Sequence, residues 1–100
     1  MPVTSLLSSD AQELTIFIEG SFDFKAHHDF RNAYESLGRE QRYIVDLGAV
    51  NFLDSSALGM LLLLRDHAGG EHARIRLVNC SSDVRKILTI SNFSKLFHIG

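Results

Sequence analysis

Segments with strand periodicity alternate with segments of helical periodicity along the chain, and this alternation limits the possible folds more than any other feature. Residues 14–19 place Leu14, Ile16 and Ile18 at every second position and so on one face, which is typical of a half-buried strand. Val3–Leu7 precedes a turn-like Ser-Ser-Asp sequence and predicts the other half of a hairpin. Residues 43–45 and Ile75–Val78 are short apolar runs that predict two further strands, the first of them buried on both faces.

Three further stretches predict helices between and after these strands. The first follows Asp23, a good N-cap, and should end near Gly38. Its apolar stripe repeats at helical spacing and consists of Ala26, Phe30, Ala33, Tyr34 and Leu37. The second covers residues 55–68 and stops at a Gly-Gly pair, and the third begins at Ser81 or Ser82.

The resulting order, β-β-α-β-α-β-α, predicts an α/β fold. Strands that are separated by helices require crossover connections, so the sheet should be mixed and mostly parallel, with four or five strands. A chain of 100 residues cannot supply helices for both faces, and we expect them mainly on one face. We expect a single domain over residues 1–100, because its length is near the usual single-domain size.

Charge and cysteine content exclude several classes of protein. A net charge of −2 lacks the basic surplus that nucleic-acid binding needs. Cys80 is the only cysteine, so no internal disulfide is possible. The uncharged run 55–64 is about half the length of a membrane span, so no direct membrane insertion is expected. Residues 1–9 lack the pattern of a signal peptide, and we expect a cytoplasmic protein.

The start of the second predicted helix combines a carboxylate, Asp54, with two hydroxyls, Ser55 and Ser56. The first backbone N–H groups of a helix have no partner within the helix, and the helix dipole is positive there. A hydroxyl at this place can cap the helix, or it can carry a phosphate that faces free N–H donors. Both interpretations remain open from these residues alone.

The body of the same helix is apolar on all sides, although a sheet covers only one of them. Either neighbouring helices cover the remainder, or an apolar patch near Leu58 and Gly59 stays exposed for a partner. Gly59 costs about 1 kcal/mol relative to alanine inside a helix, and the usual compensation is a close approach of another backbone.

Residues 46–59, which read DLGAVNFLDSSALG, resemble the signature of STAS domains, in particular of the bacterial anti-sigma factor antagonists. Residues 20–23, GSFD, are similar to the family's Gly-x-Leu-Asp, and residues 84–88 and 91–97 are similar to its last helix and following loop. The resemblance covers nearly the whole chain. Ala57 departs from the usual glycine and Phe22 from the usual leucine, and Ala57 adds a methyl group beside the serines.

The resemblance implies a protein switch without catalysis, cofactor or metal. In such antagonists the serine after the motif aspartate, here Ser55, is phosphorylated by an anti-sigma factor with an ATPase-like kinase fold, and Ser56 is the neighbouring alternative. The unphosphorylated form binds the anti-sigma factor, and a metal-dependent phosphatase restores it. Outputs such as motility and biofilm formation fit the family. The implied docking surface consists of Asp23, Val50, Asn51, Phe52, Leu53, Asp54, Ser56, Leu58, Gly59 and Met60.

Two other functions are compatible with the sequence. A STAS subunit can dock on the ATPase of a membrane lipid transporter without phosphorylation, although the intact Asp-Ser-Ser favours the switch. An enzyme would need a catalytic constellation, and Asp46 with Asp54 is the best carboxylate pair available. The adjacent His27 and His28 point in different directions on a helix and do not have metal-ligand spacing.

Overall fold

The computed structural model describes residues 3–100, which form one five-stranded sheet and three α-helices. The strands are β1 (Val3–Leu7), β2 (Glu13–Phe22), β3 (Arg42–Leu53), β4 (Ile75–Val78) and β5 (His98–Ile99). The helices are α1 (His27–Tyr34), α2 (Ser55–His67) and α3 (Ser82–Ile90). Short 3₁₀ turns occur at Phe24–Ala26, Gly70–His72 and Phe93–Lys95. The predicted order of elements is therefore confirmed.

The strands lie in the sheet in the same order as in the chain, β1-β2-β3-β4-β5. β1 and β2 form the predicted antiparallel hairpin, and the three later pairs are parallel. Each crossover moves to the next strand in the same direction. Since such crossovers are almost always right-handed, they place α1, α2 and α3 on one face of the sheet, as expected.

The core lies between this face of the sheet and the helices. Side chains of β2 and β3 that point toward the helices are fully or almost fully buried: Leu14, Ile16, Ile18, Tyr43, Val45 and Leu47. An aromatic chain continues the core beneath α1, with ring centroids of Phe22 and Phe30 at 5.3 Å and those of Phe30 and Tyr34 at 5.6 Å. The phenylalanine at position 22 thus fills the core at the end of β2.

Two predictions about β3 are wrong. The strand is 12 residues long, not three, because residues that resemble a loop in sequence pair with the second half of β2. The register shifts between Phe17 and Glu19 and between Gly20 and Ser21, and these irregularities remove the period-two pattern. Ile44 is only half-buried, because the helices cover one face of the sheet and leave the other open.

The predicted end of the first helix is also wrong. α1 stops at Tyr34, four residues before Gly38. The chain then turns, with a hydrogen bond from the Leu37 N–H to the Tyr34 carbonyl at 2.9 Å. Gln41 anchors this segment, since its buried side chain accepts from the Gly38 N–H and donates to the Ala11 carbonyl. By contrast, α2 and β4 lie where the sequence predicts them, and Ser81 caps α3 through its hydroxyl.

Leu61 and Leu62 provide a matched test of this packing because they are neighbours on α2. Leu61 is fully buried, and Leu62 is 42% exposed. We expect Leu61→Ala to lower the free energy of unfolding by about 2–5 kcal/mol, since the cavity is only partly refilled. Leu62→Ala should change it by about 0.5 kcal/mol or less. Urea denaturation of the two variants measures the difference, and equal losses would contradict the one-sided packing of α2.

Candidate functional site

The carboxyl ends of β2 and β3 bring Asp23 and Asp54 to one edge of the sheet. Phe22 and Leu53 are paired in the parallel register, and each is followed directly by one of the aspartates. The Asp54 backbone N–H also donates to the Phe22 carbonyl at 3.4 Å. Because neighbouring strands lie about 5 Å apart, the two aspartates are neighbours at the start of α2.

Asp54 is the N-cap of α2. Its backbone is extended, its carboxylate accepts from the Ala57 N–H at 3.0 Å, and its carbonyl accepts from the Leu58 N–H at 3.3 Å. Within residues 3–100, the N–H groups of Ser55 and Ser56 have no recorded hydrogen-bond acceptor. The serines therefore do not cap the helix, and two donors at its positive end remain available to an anion.

Asp23 has a comparable local role. Its carboxylate accepts from the Lys25 N–H at 3.0 Å and caps the 3₁₀ turn that leads into α1. The Lys25 ammonium lies 3.8 Å from the other carboxylate oxygen, but its side chain is 75% exposed, against 15% for Asp23. An exposed ion pair of this kind contributes little energy. The α2 N-terminus thus has two neighbouring carboxylates, those of Asp23 and Asp54.

The hydroxyl groups of Ser55 and Ser56 are exposed at the beginning of an uncovered face of α2. The same face carries Gly59, Leu62 and Leu63, at helical spacings of three or four residues from the serines or from one another. Leu62 is 42% exposed and Leu63 52% exposed. We call these five residues the α2 stripe. The exposed apolar side chains of α2 are thus Leu62 and Leu63, one turn beyond the position near Leu58 and Gly59 that the sequence indicates, and Leu58 itself is half-buried.

The residues that the resemblance assigns to docking divide into exposed and buried groups. Asn51, Phe52, Ser56 and Gly59 are exposed, Phe52 by 55%, while Asp23, Asp54 and Leu58 are half-buried. The others, Val50, Leu53 and Met60, are at least 95% buried and can only support the surface from beneath. Ala57 is also fully buried, so its methyl group packs in the core and does not alter the surface beside the serines.

Phe24 is an exposed aromatic residue at the same edge that the sequence interpretation missed. Its side chain is 69% exposed, directly after Asp23. The available signal was its position between the N-cap and the first residue of the buried stripe of α1, where an apolar side chain has no place in the core. Together with Phe52 it exposes large apolar surface at the edge of the sheet where β2 and β3 end, and aromatic residues are common at the energetic centres of protein interfaces.

Gly59 faces open space. A Cβ atom built at this position has no heavy atom within 4 Å outside its immediate neighbourhood. The expected close approach of another backbone is therefore absent among residues 3–100, and the prediction is wrong to that extent. The glycine leaves a shallow place on the exposed face of α2 between the serines and the two leucines.

The remaining candidate chemistries do not assemble in the described part of the chain. Asp46 is remote from Asp54 along β3 and is engaged by the Gly48 N–H and the Asn79 amide, at 2.9 and 3.0 Å. Burial raises the pKa of the Cys80 thiol, which disfavours the thiolate. Among residues 3–100, no group of three or more His, Cys, Asp or Glu side chains is arranged to hold a metal ion. No helix there is long and apolar enough to span a bilayer.

Comparison with known proteins adds three kinds of match. A family model described as "Mlab, STAS domain" matches residues 5–98. A STAS-domain containing protein of Pseudomonas aeruginosa (strain UCBPP-PA14) is 65% identical over 101 residues, with all of both chains covered. A putative anti-sigma factor antagonist from Thermotoga maritima has a similar structure, with a TM-score of 0.81 and 15% identity, over 97% of this chain and 84% of that chain.

Two further solved structures share the fold. The anti-sigma factor antagonist SpoIIAA of Bacillus, in its unphosphorylated form, gives a TM-score of 0.72 at 18% identity, over 98% of this chain and 86% of that chain; its phosphorylated form also matches. A sulfate transporter family protein from Wolinella succinogenes gives 0.73 at 13% identity, over 90% of this chain and 73% of that chain. The predicted α/β fold is therefore that of these proteins.

Removal of the cap at Asp54 tests how the start of α2 is held. We expect Asp54→Ala to lower the free energy of unfolding by about 0.5–2 kcal/mol, because the Ala57 N–H loses its acceptor. Asp54→Asn should retain most of this energy, since its amide oxygen still accepts the hydrogen bond. Asp66→Ala, on the exposed last turn of the same helix, is the control and should cost about 0.5 kcal/mol or less. A loss in Asp54→Asn as large as in Asp54→Ala would show that charge, not capping, dominates.

Proposed function

The chain belongs to the STAS domain family, and we propose that it is an anti-sigma factor antagonist that works by partner switching. In this proposal the unphosphorylated protein binds an anti-sigma factor through the α2 stripe and the adjoining strand ends. Phosphorylation of Ser55, with Ser56 as the alternative, weakens that binding. The chain itself performs no catalysis, and its place of action is the cytoplasm.

The observation that carries the proposal is the position of the serines on the α2 stripe. Ser55 lies four residues before Gly59, or about 6 Å along the helix axis, on the same exposed face. Leu62 and Leu63 follow within one further turn. A phosphate on either serine therefore adjoins the apolar surface that a partner would cover. Modification can control binding without any change of fold.

Electrostatics gives the expected size of the effect. A phosphoserine adds about 1.5–2 negative charges next to Asp54 and Asp23, which are already negative. Burial of such a group against a partner without new cations costs several kcal/mol. A cost of about 4 kcal/mol corresponds to roughly a thousandfold loss of affinity. The free N–H groups of Ser55 and Ser56 help to stabilise the phosphate within the chain, so the modified protein remains folded.

The similar structures support this choice. Antagonists from Thermotoga and Bacillus share the fold, and SpoIIAA has been solved in phosphorylated and unphosphorylated forms. The switch would require a serine kinase of the ATPase-like fold, which is the anti-sigma factor itself or an equivalent partner, and a metal-dependent phosphatase.

A second candidate is a STAS subunit that docks on the ATPase of a membrane lipid transporter. The family description "Mlab, STAS domain" and the similarity to a sulfate transporter family protein favour it. The same α2 stripe would then bind the ATPase without phosphate control. This second function predicts binding to the transporter ATPase and no serine phosphorylation in cells. Partner switching predicts binding to an anti-sigma factor and phosphorylation of a serine.

The charge switch is tested with Ser55→Ala and Ser55→Asp, compared with wild type in binding to a candidate anti-sigma factor by isothermal titration calorimetry. We expect Ser55→Ala to bind like wild type, because the hydroxyl is exposed and has no recorded partner. Ser55→Asp should bind at least about tenfold more weakly, which is 1.4 kcal/mol or more. A phosphosite map from cells identifies the modified serine.

Ser56→Ala and Ser56→Asp are the matched controls for the site assignment. A phosphate found only on Ser56, with the larger loss in Ser56→Asp, would move the site by one residue and keep the mechanism. Equal affinities for all aspartate and alanine variants would refute the charge switch. In that case, binding to a transporter ATPase is the next measurement.

Gly59→Ala separates stability from binding. The added methyl group meets no neighbour in the described part of the chain and removes the flexibility of glycine, so the free energy of unfolding should rise by about 1 kcal/mol. Binding to the partner should fall at least about tenfold if the partner backbone approaches at Gly59. Thr89→Ala, a helix-favouring change on exposed α3, is the control and should leave binding unchanged. Unchanged affinity in Gly59→Ala would exclude a close approach at this residue.

A further inference from the structure

The face of the sheet that points away from the helices carries a groove at the beginning of β3 and β4. Its volume is about 440 Å³, within the usual range of roughly 300–1,000 Å³ for small-molecule sites. Its apolar lining includes Ile44 from β3, Ala73 from the loop before β4, and Leu96, which is 39% exposed. We call it the basic groove, because arginine and histidine residues also line it.

Three arginines and a histidine are among the residues that line this groove: Arg42, Arg74, Arg76 and His98. The parallel register explains the grouping, since Ile44 pairs with Arg76 and Arg76 pairs with His98. Side chains at paired positions point to the same face of a sheet. A basic cluster thus forms in a chain whose net charge is −2.

Most of this positive charge is not neutralised within the described chain. Glu13 is the one carboxylate in the lining, and it lies 3.5 Å from the Arg42 Nε. Arg74 donates to the Glu40 carbonyl at 2.7 Å, which fixes the guanidinium but leaves its charge. Arg76 forms no ion pair and no side-chain hydrogen bond within residues 3–100. Its neighbour in the sheet is the apolar Ile44.

We propose that the basic groove binds a small amphipathic anion: a carboxylate or phosphate head group on an aliphatic chain. Guanidinium groups match the planar or tetrahedral oxygens of these head groups, so Arg76 and Arg74 would hold the head. Ile44, Ala73 and Leu96 would cover the chain. An aliphatic tail matches this lining, because the Tyr43 ring is fully buried and Ile44, Ala73 and Leu96 supply the apolar surface.

This site is separate from the proposed phosphorylation site. Ile44 lies nine residues before Leu53 on β3, roughly 30 Å for an extended strand, and the groove opens on the opposite face of the sheet from α2. The proposal therefore does not depend on partner switching. Ser55→Asp should leave ligand binding by the basic groove unchanged, whatever it does to partner binding.

The test is an NMR titration of the ¹⁵N-labelled full chain with octyl phosphate, with inorganic phosphate and octanol as probes of the two halves of the ligand. We expect saturable amide shifts at Ile44, Ala73, Arg76 and Leu96, with a dissociation constant at or below about 1 mM. Inorganic phosphate and octanol should each bind at least about tenfold more weakly. Octanoate should reproduce the octyl phosphate shifts.

Arg76→Gln and Arg74→Gln should each weaken octyl phosphate binding about tenfold, and circular dichroism establishes that both remain folded. Arg85→Gln on exposed α3 makes the same change in net charge and should bind like wild type. The proposal is overturned if octyl phosphate causes no saturable shifts, if the shifts map elsewhere, or if Arg85→Gln weakens binding as much as Arg76→Gln.

An amphipathic anion can reach the groove as a free molecule or as part of a membrane. Sedimentation with phosphatidylglycerol vesicles distinguishes the two sources. We expect the protein to remain in the supernatant while octyl phosphate binds, which identifies the free molecule as the ligand. Cosedimentation that is lost in Arg76→Gln identifies the lipid head group and supports the same site. Binding of adenosine monophosphate as tight as that of octyl phosphate would overturn the aliphatic assignment.

Discussion

Parallel hydrogen bonding between β2 and β3 continues to Phe22 and Leu53, well beyond the point where β4 ends at Val78. This extension carries the start of α2 beyond the end of β4. It also joins the two chain segments that supply Asp23 and Asp54, which are 31 positions apart in sequence. Without this pairing, the α2 N-terminus would have neither its acidic neighbour nor a fixed position relative to exposed Phe24 and Phe52.

Much of the fold could be predicted because local periodicity and tertiary packing agree. The alternation of Leu14, Ile16 and Ile18 matches their burial, and the Gly-Gly pair ends α2 with two positive φ angles. The length of β3 could not be predicted, because its second half follows the irregular register of β2. That register depends on pairing between distant segments and leaves no periodic signature in either one.

The site was predictable in outline but not in detail. The sequence of residues 54–56 indicates a helix start with free donors, and the structure has one. A helix that is apolar all round does not reveal which face its neighbours cover. Packing against the sheet and α1 buries Met60 and leaves Leu62 exposed. Which face of α2 is buried is therefore determined by tertiary packing. The sequence predicted that the strand of Ile44 is covered on both faces. Because the helices lie on one face only, the basic groove remains open on the other.

The cap of α2 has a consequence for the life of the protein in the cell. Asp54 holds the Ala57 N–H, while the hydroxyls of Ser55 and Ser56 bear no part of the helix start. A group attached to either serine therefore displaces no structural hydrogen bond. Cellular proteases act on the transiently unfolded fraction, which depends on the free energy of unfolding. If a serine is phosphorylated as proposed, the native state loses no hydrogen bond and the free N–H groups of Ser55 and Ser56 gain an acceptor, so the modified form is no more exposed to degradation than the unmodified form.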